Sequence, residues 1–413
     1  MASRGLANVL AKNAHDVVIL SALRTPFTKA LRGGLANMYP EELLAAVLGA
    51  TLARTGIAPE KVEDILTGAV LQTLGGQKAS ATAIKKVGFP YTTTSGTVNR
   101  QCSSSAQALS FLAGAIRSGA VGAGIAAGVE SMSKDYFPHR GIPTRVSPLL
   151  VGEPGEAQDV LMPMGITSEN VASEYGILRA DQDEFAAASH TKAAASWASG
   201  HFDQEVVPVT ARRVYNEKKG EAPPASGETE WVGVAADDGV RAGTTKESLG
   251  KLKPVFSDDG ATTAGNSSQI SDGASAVLVT TRAMADSLGI APIGKFVGSV
   301  TAGVPARIMG IAPSVAVPKL LELYGLDKDD IDIYELNEAF ASQSLYCITK
   351  LGIDPAKVNP FGGAIAIGHP LGATGGRCVA TVLNGLAATG GKLGVVSMCA
   401  STGQGYAGLF VRE

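Results

Sequence analysis

The stretch Thr97-Val-Asn-Arg-Gln-Cys102-Ser-Ser-Ser-Ala-Gln-Ala-Leu109 passes from a short extended segment into an amphipathic helix, with Ala106, Leu109, Ala113 and Ile116 on one face. The apolar run Gly122-Ala-Gly-Ile-Ala-Ala-Gly128 follows and reads as a buried strand. Upstream, Asp16-Val-Val-Ile-Leu20 is a second buried strand. A helix then runs from Pro40, suited to a first helical position and followed by two acids, to Gly56, and Asp64-Ile-Leu-Thr-Gly68 is a third strand. Strands alternating with helices predict an α/β fold with largely parallel sheets.

The order then returns. A strand near Gly294-Lys-Phe-Val-Gly298 precedes a helix over Val315–Tyr324, strand-like Asp332-Ile-Tyr, Lys357-Val-Asn, a glycine-rich loop, a helix, and Gly394-Val-Val-Ser-Met398 as a last strand. Asp64-Ile65 against Asp332-Ile333 gives an offset of 268 (332 against 64), and Val98-Asn99 against Val358-Asn359 gives 260 (358 against 98). A duplicated unit is the reading, with one loop-to-helix junction carrying Cys102 and its counterpart carrying His369. Between the halves, residues 131–270 are richer in proline, glycine and charge. Helices are expected there over Ser168–Tyr175 and Ala180–Ser199, the second closed by Gly200, amid long loops of the kind that bind ligands.

Composition narrows the class. Of 413 residues, 45% are hydrophobic and 18% charged, enough for a large core of two or three units, and the net charge of −3 comes without a basic stripe for nucleic acid. No apolar run reaches the roughly 18 residues that span a bilayer. The four cysteines form no CxxC pair and no cluster with histidine, so neither a metal site nor a disulfide framework is expected. Residues 1–14 hold Arg4 and Lys12 and no acid, and read as a leader or disordered arm.

Four segments carry candidate chemistry. Cys102 at a helix start is placed where the macrodipole lowers a thiol pKa from about 8.5, although the same position suits an inert buried cysteine. In Phe361-Gly-Gly-Ala-Ile-Ala-Ile-Gly-His369-Pro-Leu-Gly-Ala-Thr-Gly-Gly-Arg377 the glycine spacing imitates a phosphate loop, but His369 and Pro370 stand where lysine and a hydroxyl are required. Nucleotide phosphate is therefore excluded, and close approach of substrate to backbone is the better reading. Met398-Cys399-Ala-Ser401-Thr-Gly-Gln404-Gly puts a cysteine at a strand end. Glu335-Leu-Asn337-Glu338-Ala-Phe340 puts polar groups at a strand-to-helix junction, where Asn337 alone reads as a helix N-cap.

Taken together and in order, Asn-Arg-Gln-Cys-Ser-Ser, Asn-Glu-Ala-Phe, Gly-His-Pro-Leu-Gly-Ala-Thr-Gly and the late Cys-x-x-x-Gly-x-Gly resemble the thiolase family, from about residue 15 to the end. Met162-Pro-Met-Gly-Ile-Thr-Ser-Glu-Asn, Lys251-Leu-Lys-Pro-Val-Phe and Thr263-Ala-Gly-Asn-Ser-Ser resemble the central region of peroxisomal 3-ketoacyl-CoA thiolases. The resemblance implies two βαβαβαββ halves in a five-layered α-β-α-β-α core: residues 15–130 with 271–291, and residues 292–413, with a loop domain over 131–270 that binds coenzyme A. It implies thiolytic cleavage of 3-ketoacyl-CoA to acetyl-CoA and a shortened acyl-CoA, as in fatty-acid β-oxidation. Cys102 would be the nucleophile, His369 its base, and Cys399 the acid and base at the enolate and at CoA. Asn337 would hold a water beside His369 in one oxyanion hole, and the backbone N–H groups of Cys102 and Ser401 would form the other. Met164, Ser268, Phe340, Arg241 and Ser248 would contact CoA or substrate.

The resemblance also implies no metal and no cofactor, coenzyme A being a substrate, and a homodimer or homotetramer. It points to the peroxisome, although the C-terminal Val411-Arg412-Glu413 is no Ser-Lys-Leu signal and the basic start would also suit mitochondrial import; a cytosolic enzyme is the third option. Ser105 and Ser401 stand where the family usually has glycine, and Gln404 where it often has methionine, which puts the second oxyanion hole in question. Cys347 and Cys378 are expected in the core, and His15, His139, His190 and His201 in structural or solvated positions. The competing readings are an acetoacetyl-CoA thiolase running the Claisen condensation, a decarboxylating condensing enzyme (disfavoured by Cys399), and a non-catalytic acyl-CoA-binding scaffold.

Overall fold

The fold is that of a computed structural model, which describes residues 5–139, 141, 144–152, 155–216, 218 and 220–413. The N-terminal half runs β1 (Val17–Arg24), α1 (Pro40–Thr55), β2 (Asp64–Gly68), α2 (Gln77–Val87), β3 (Thr94–Val98), α3 (Ser104–Arg117), β4 (Ala123–Ser131) and, after a long insertion, β5 (Ser271–Thr281). The insertion holds α4 (Met164–Glu174) and α5 (Arg179–Ala198). The C-terminal half runs β6 (Gly294–Gly303), α6 (Pro313–Tyr324), β7 (Ile333–Leu336), α7 (Ala341–Leu351), a single bridge at Val358, α8 (Thr374–Thr389), β8 (Leu393–Ala400) and β9 (Gln404–Arg412). Local signals act as expected at α1: Pro40 opens it, and Gly56 closes it at φ 65°.

Strand order is β3-β2-β4-β5-β1 in the first half and β7-β8-β9-β6 in the second, with Val358 pairing on Tyr334 where β3 pairs on β2. The halves are joined antiparallel between β1 and β6 at Val18↔Lys295 and Ile19↔Gly294, giving one continuous ten-stranded sheet that includes Thr28–Lys29 on β5. Three apolar clusters define the layers. Leu109 and Leu112 of α3 pack with Val379 and Leu383 of α8 between the two half-sheets. Leu43, Leu44 and Val47 of α1 and Ile84 of α2 cover the outer face of the first half, and Val317 and Leu320 of α6 with Ile348 of α7 cover that of the second. Helices, sheet, helices, sheet, helices make five layers.

Four expectations need correction. Only β2·β3, β2·β4 and β7·β8 pair in parallel; β4·β5, β1·β5, β1·β6, β6·β9 and β8·β9 are antiparallel. The last strand of each half returns beside its predecessor, in the second through the tight turn after Ala400, which parallel pairing cannot do. For the same reason β8 is not the last strand: β9 follows it.

The sequence anchors of the repeat are also out of register. Ile65 faces the outer cluster and Ile333 the inner one, while Val98 faces inward and Val358 outward. A one-residue slip reverses a strand's faces. Ile65 matches Tyr334, and their register partners Ile125 and Val395 both face outward as well.

The fourth correction concerns the arm. Leu6–Leu10 is a helix, Gly5 donates its N–H to Tyr324 O at 2.7 Å, and Val9 is buried against α6. Lys12 pairs with Glu413, so the part of residues 1–14 from Gly5 onward is docked; residues 1–4 lie outside the described residues. The insertion is fastened too. Arg24 of β1, fully buried, donates to Glu205 at 2.7 Å and to both oxygens of Asp237 at 2.7 and 2.9 Å. Removing one partner of such a network typically costs about 3–5 kcal/mol. No helix among the described residues is long and apolar enough to cross a membrane.

Candidate active site

The loop between β3 and α3 is wound tightly around Cys102. Asn99 Oδ1 accepts from Gln101 N–H at 3.0 Å, and Ser103 and Ser104 N–H donate to Arg100 O and Gln101 O. Gln101 sits at φ 50°, a conformation that a non-glycine residue keeps only where its surroundings impose it. The result seats Cys102 just ahead of α3, buried with 8% of its surface exposed. The backbone N–H groups of Cys102 itself and of Ser401, from the C-terminal half, lie near enough to the sulfur to act on its ionisation.

Those donors favour a thiolate, as does the helix start, but burial outweighs them and nearby Glu130 adds to it, pushing the thiol up to about 12. The expected lowering is therefore reversed: the resting group is a thiol that ionises only as its proton is taken.

A base is present. His369 is held by its own N–H to Gln269 O at 3.0 Å, and its Nδ1 lies 2.6 Å from Thr374 Oγ1, the first residue of α8. The Thr374 hydroxyl donates to Pro370 O at 3.0 Å, so it receives the Nδ1 proton and leaves Nε2 with its lone pair. Asn337 Nδ2 donates to that Nε2 at 3.4 Å. Burial, with Arg377 nearby, pulls the imidazolium down to about 3, so the ring is neutral at ordinary pH. The glycines of this loop have a packing role: Gly368 is at φ 117°, and a Cβ there would lie 2.5 Å from Ser271 Oγ.

Asn337 is no helix cap, because α7 begins four residues later behind Phe340. Its side chain turns into the site instead, and its buried Oδ1 has no partner among the described residues, an acceptor left for a donor from solvent or substrate. A polar chain links the remaining group: Cys399 Sγ donates to Gln343 Oε1 at 3.3 Å, and Gln343 Nε2 donates to Asn337 O at 3.2 Å. Burial and the neighbouring Cys102 hold the Cys399 thiol well above its ordinary value. Met164 and Phe340 pack beside Cys399 with Met309 and Ala312. Ser268 donates its N–H to Ala339 O, one residue before the carbonyl that holds His369.

Cys102, His369, Asn337, Cys399, Ser401, Met164, Phe340 and Ser268 thus gather in one place. Arg241 and Ser248 stand apart from them. Arg241 is exposed and donates its backbone N–H to His190 Nδ1 at 3.2 Å, and Ser248 closes a capping box with Thr245. Sequence reasoning missed Gln343, Thr374 and Glu130. Gln343 and Thr374 sit on buried helix faces, where an isolated polar residue is the only available signal.

The three departures are absorbed by the structure. Ser401 is not at positive φ; Thr402 (φ 71°) and Gly403 (φ 79°) make the turn instead. Gln404 braces it, donating to Thr402 Oγ1 at 2.7 Å and accepting from Arg100 Nη1 at 2.7 Å. Ser105 Oγ accepts from Gly376 N–H at 3.0 Å and joins α3 to α8.

A cysteine with two backbone N–H groups near its sulfur, a neutral histidine and a second buried cysteine, set on a duplicated five-layered fold, define an acyl-transferring site. The profile of the thiolase N-terminal domain matches residues 17–283 and that of the thiolase C-terminal domain residues 290–412; the chain belongs to the thiolase family and is an acyltransferase. Among individual proteins, it is 49% identical over 401 residues to the peroxisomal 3-ketoacyl-CoA thiolase 2 of Arabidopsis thaliana, covering 96% of this chain and 84% of that one. The crystal structure of the dimeric peroxisomal thiolase of Saccharomyces cerevisiae superposes with a TM-score of 0.90 at 40% identity, covering 99% of this chain and all of that one. The acetyl-CoA acetyltransferase of Bacillus anthracis gives 0.85 at 34% identity, covering 98% of this chain and all of that one.

Proposed function

We propose that the chain is a 3-ketoacyl-CoA thiolase that cleaves 3-ketoacyl-CoA with coenzyme A to give acetyl-CoA and a shortened acyl-CoA. The observation that carries this reading is the gathering of Cys102 with Ser401 and Cys399 and, through Gln343 and Asn337, with His369, from opposite halves. His369 Nε2 takes the Cys102 proton as sulfur attacks the 3-keto carbon, whose oxygen becomes an anion facing the N–H groups of Cys102 and Ser401. The C2–C3 bond breaks, the acyl group stays on Cys102, and the acetyl-CoA enolate takes the Cys399 proton. The enolate oxygen is stabilised from His369 and from a water held by Asn337. The Cys399 thiolate then deprotonates incoming CoA, whose sulfur attacks the acyl-enzyme and releases acyl-CoA, and Cys102 recovers its proton from His369.

Coenzyme A is a substrate in this scheme, and no metal or cofactor takes part. Met164, Phe340 and Ser268, beside Cys399 and His369, are placed to line the substrate's path. Arg241, on an exposed loop beside α5, and Ser248, in the short helix Lys246–Gly250, would meet the nucleotide end. The working form is a homodimer located in the peroxisome, a reading supported by the dimeric relative from yeast and by the peroxisomal names of the relatives. Imaging the full-length protein with and without residues 1–14 tests the location.

Intact-mass spectrometry after brief exposure to acetyl-CoA tests the chemistry. One acetyl group mapping to Cys102 is expected, and acetylation of Cys399 alone, or none, would overturn the scheme. Likeness to the Bacillus acetyltransferase favours a second reading, an acetoacetyl-CoA thiolase. Comparable cleavage of acetoacetyl-CoA and a long-chain 3-ketoacyl-CoA supports the first, and loss of activity on the longer chain supports the second.

A further inference from the structure

Glu130, at the end of β4, is fully buried and takes no part in the scheme above. Its Oε1 accepts from Leu71 N–H at 3.1 Å, and its Oε2 accepts from Val70 N–H at 3.2 Å and from Gly372 N–H at 2.9 Å. Val70 and Leu71 follow β2 in the N-terminal half, whereas Gly372 lies in the His369-Pro-Leu-Gly loop of the C-terminal half. One carboxyl group therefore ties the loop that carries the base to the half that carries the nucleophile.

The seam it closes is narrow. A Cβ at Gly372 would lie 2.6 Å from Gly68 O and from Val129 O, and one at Gly128 would lie 2.2 Å from Gly372 O. In-register matching puts Ala400 at the counterpart of Glu130, so nothing in the repeat itself demands a carboxyl there.

We infer that Glu130 is a positioning residue: its carboxyl group clamps the His369 loop against the Cys102-bearing half. The inference rests on the assignment of Cys102 and His369 made above. All three contacts are donors to oxygen, which favours the anion, while burial opposes it and places the titration at about 8. The titratable groups that face Glu130 are Cys102 and Asp135, and the loop it holds carries His369.

The test uses Glu130→Gln and Glu130→Asp in the full-length protein, with melting temperature, thiolysis kinetics and the pH dependence of Cys102 alkylation by iodoacetamide, read by mass spectrometry. Glu130→Gln turns an NH2 group toward N–H donors, so the His369 loop is released, alkylation rises only at higher pH than in the wild type, and kcat falls. Glu130→Asp keeps both accepting oxygens but is too short to reach Gly372, so kcat and alkylation fall in the same direction and by less. A displacement on the ångström scale is enough for a loss of roughly tenfold to a hundredfold in kcat, with KM for CoA little changed.

A thiol that loses reactivity together with turnover, at an unchanged melting temperature and KM, is not what general loosening produces. Wild-type kcat and an unshifted profile in either variant would overturn the inference, as would a kcat loss that appears only with a collapsed melting temperature. Where Glu130→Gln fails to fold, Glu130→Asp decides alone by its kcat. A wild-type protein that does not cleave 3-ketoacyl-CoA would instead sink the functional reading, and the alkylation profiles, which need no turnover, keep the two failures apart.

Discussion

The two halves share one topology but finish their second strands differently. In-register matching sets Gly68, at the end of β2, against Asn337, just past β7. At Gly68 a Cβ would lie 2.4 Å from Ser105 N and 2.9 Å from Gly372 O, so the absent side chain lets the start of α3 press onto the sheet. At Asn337 the same inward position keeps its side chain and points it at His369 Nε2. The loops that lead into α3 and α8 diverge further. The first is a short turn with Cys102 at its end, while the second carries the four-residue helix Ala364–Ile367 and then His369 before α8 begins. Duplication set two equivalent strand ends side by side. Filling one with helix and leaving the other to a polar side chain made a site that neither half holds alone.

Breaking the nucleophile in the tightly packed half has the largest expected effect. Cys102→Ala should lower thiolysis by at least about 10⁴-fold and abolish the acetyl adduct, and residual turnover within tenfold of wild type would show that the sulfur is not the nucleophile. Asn337→Ala moves the open half toward its partner's glycine. Loss of one pre-aimed donor at the developing oxyanion should lower kcat by about 10²–10³-fold, with melting temperature unchanged; a purely structural Asn337 would show the reverse.

The histidine sharpens the comparison through pH. Folding holds His369 near 3, below its ordinary 6.5, so the unfolded chain binds more protons in between and stability falls as pH drops from about 6.5 toward 3. His190, held at about 4 by burial and by Arg241, adds the same slope. The melting temperature should decline between pH 6.5 and 5, and less steeply in His369→Asn; parallel slopes would refute the assignment. The smallest effect belongs to the contact between the halves' inner helices. Ser105→Gly removes the hydroxyl that accepts from Gly376 and should cost about 1 kcal/mol in urea denaturation, with activity kept.

Much of the fold was legible because strands and helices here obey local rules: the boundaries of α1 are set by Pro40 and Gly56, and β2 spans Asp64–Gly68 as read. The repeat was legible as an order of elements but not as a register. The Asp-Ile pairs that suggested it differ in which residue faces the core, and two matching letters carry no information about face. The order of the arm was illegible for a related reason. Its missing acids resemble a leader, and only the position of Tyr324 and Glu413 in space reveals what Gly5 and Lys12 bind.

The sequence by itself determined the family, the candidate cysteines and histidine, and the alternation of strands and helices, because each is written in side-chain type and short-range spacing. Only the tertiary structure decided the state of those groups. It showed Cys102 raised rather than lowered, His369 neutral with Nε2 bare, and Ser401 set near a sulfur some 300 residues away (401 against 102). The physical reason is that burial and hydrogen-bond direction depend on which distant segments close over a residue, and no local pattern encodes that closure.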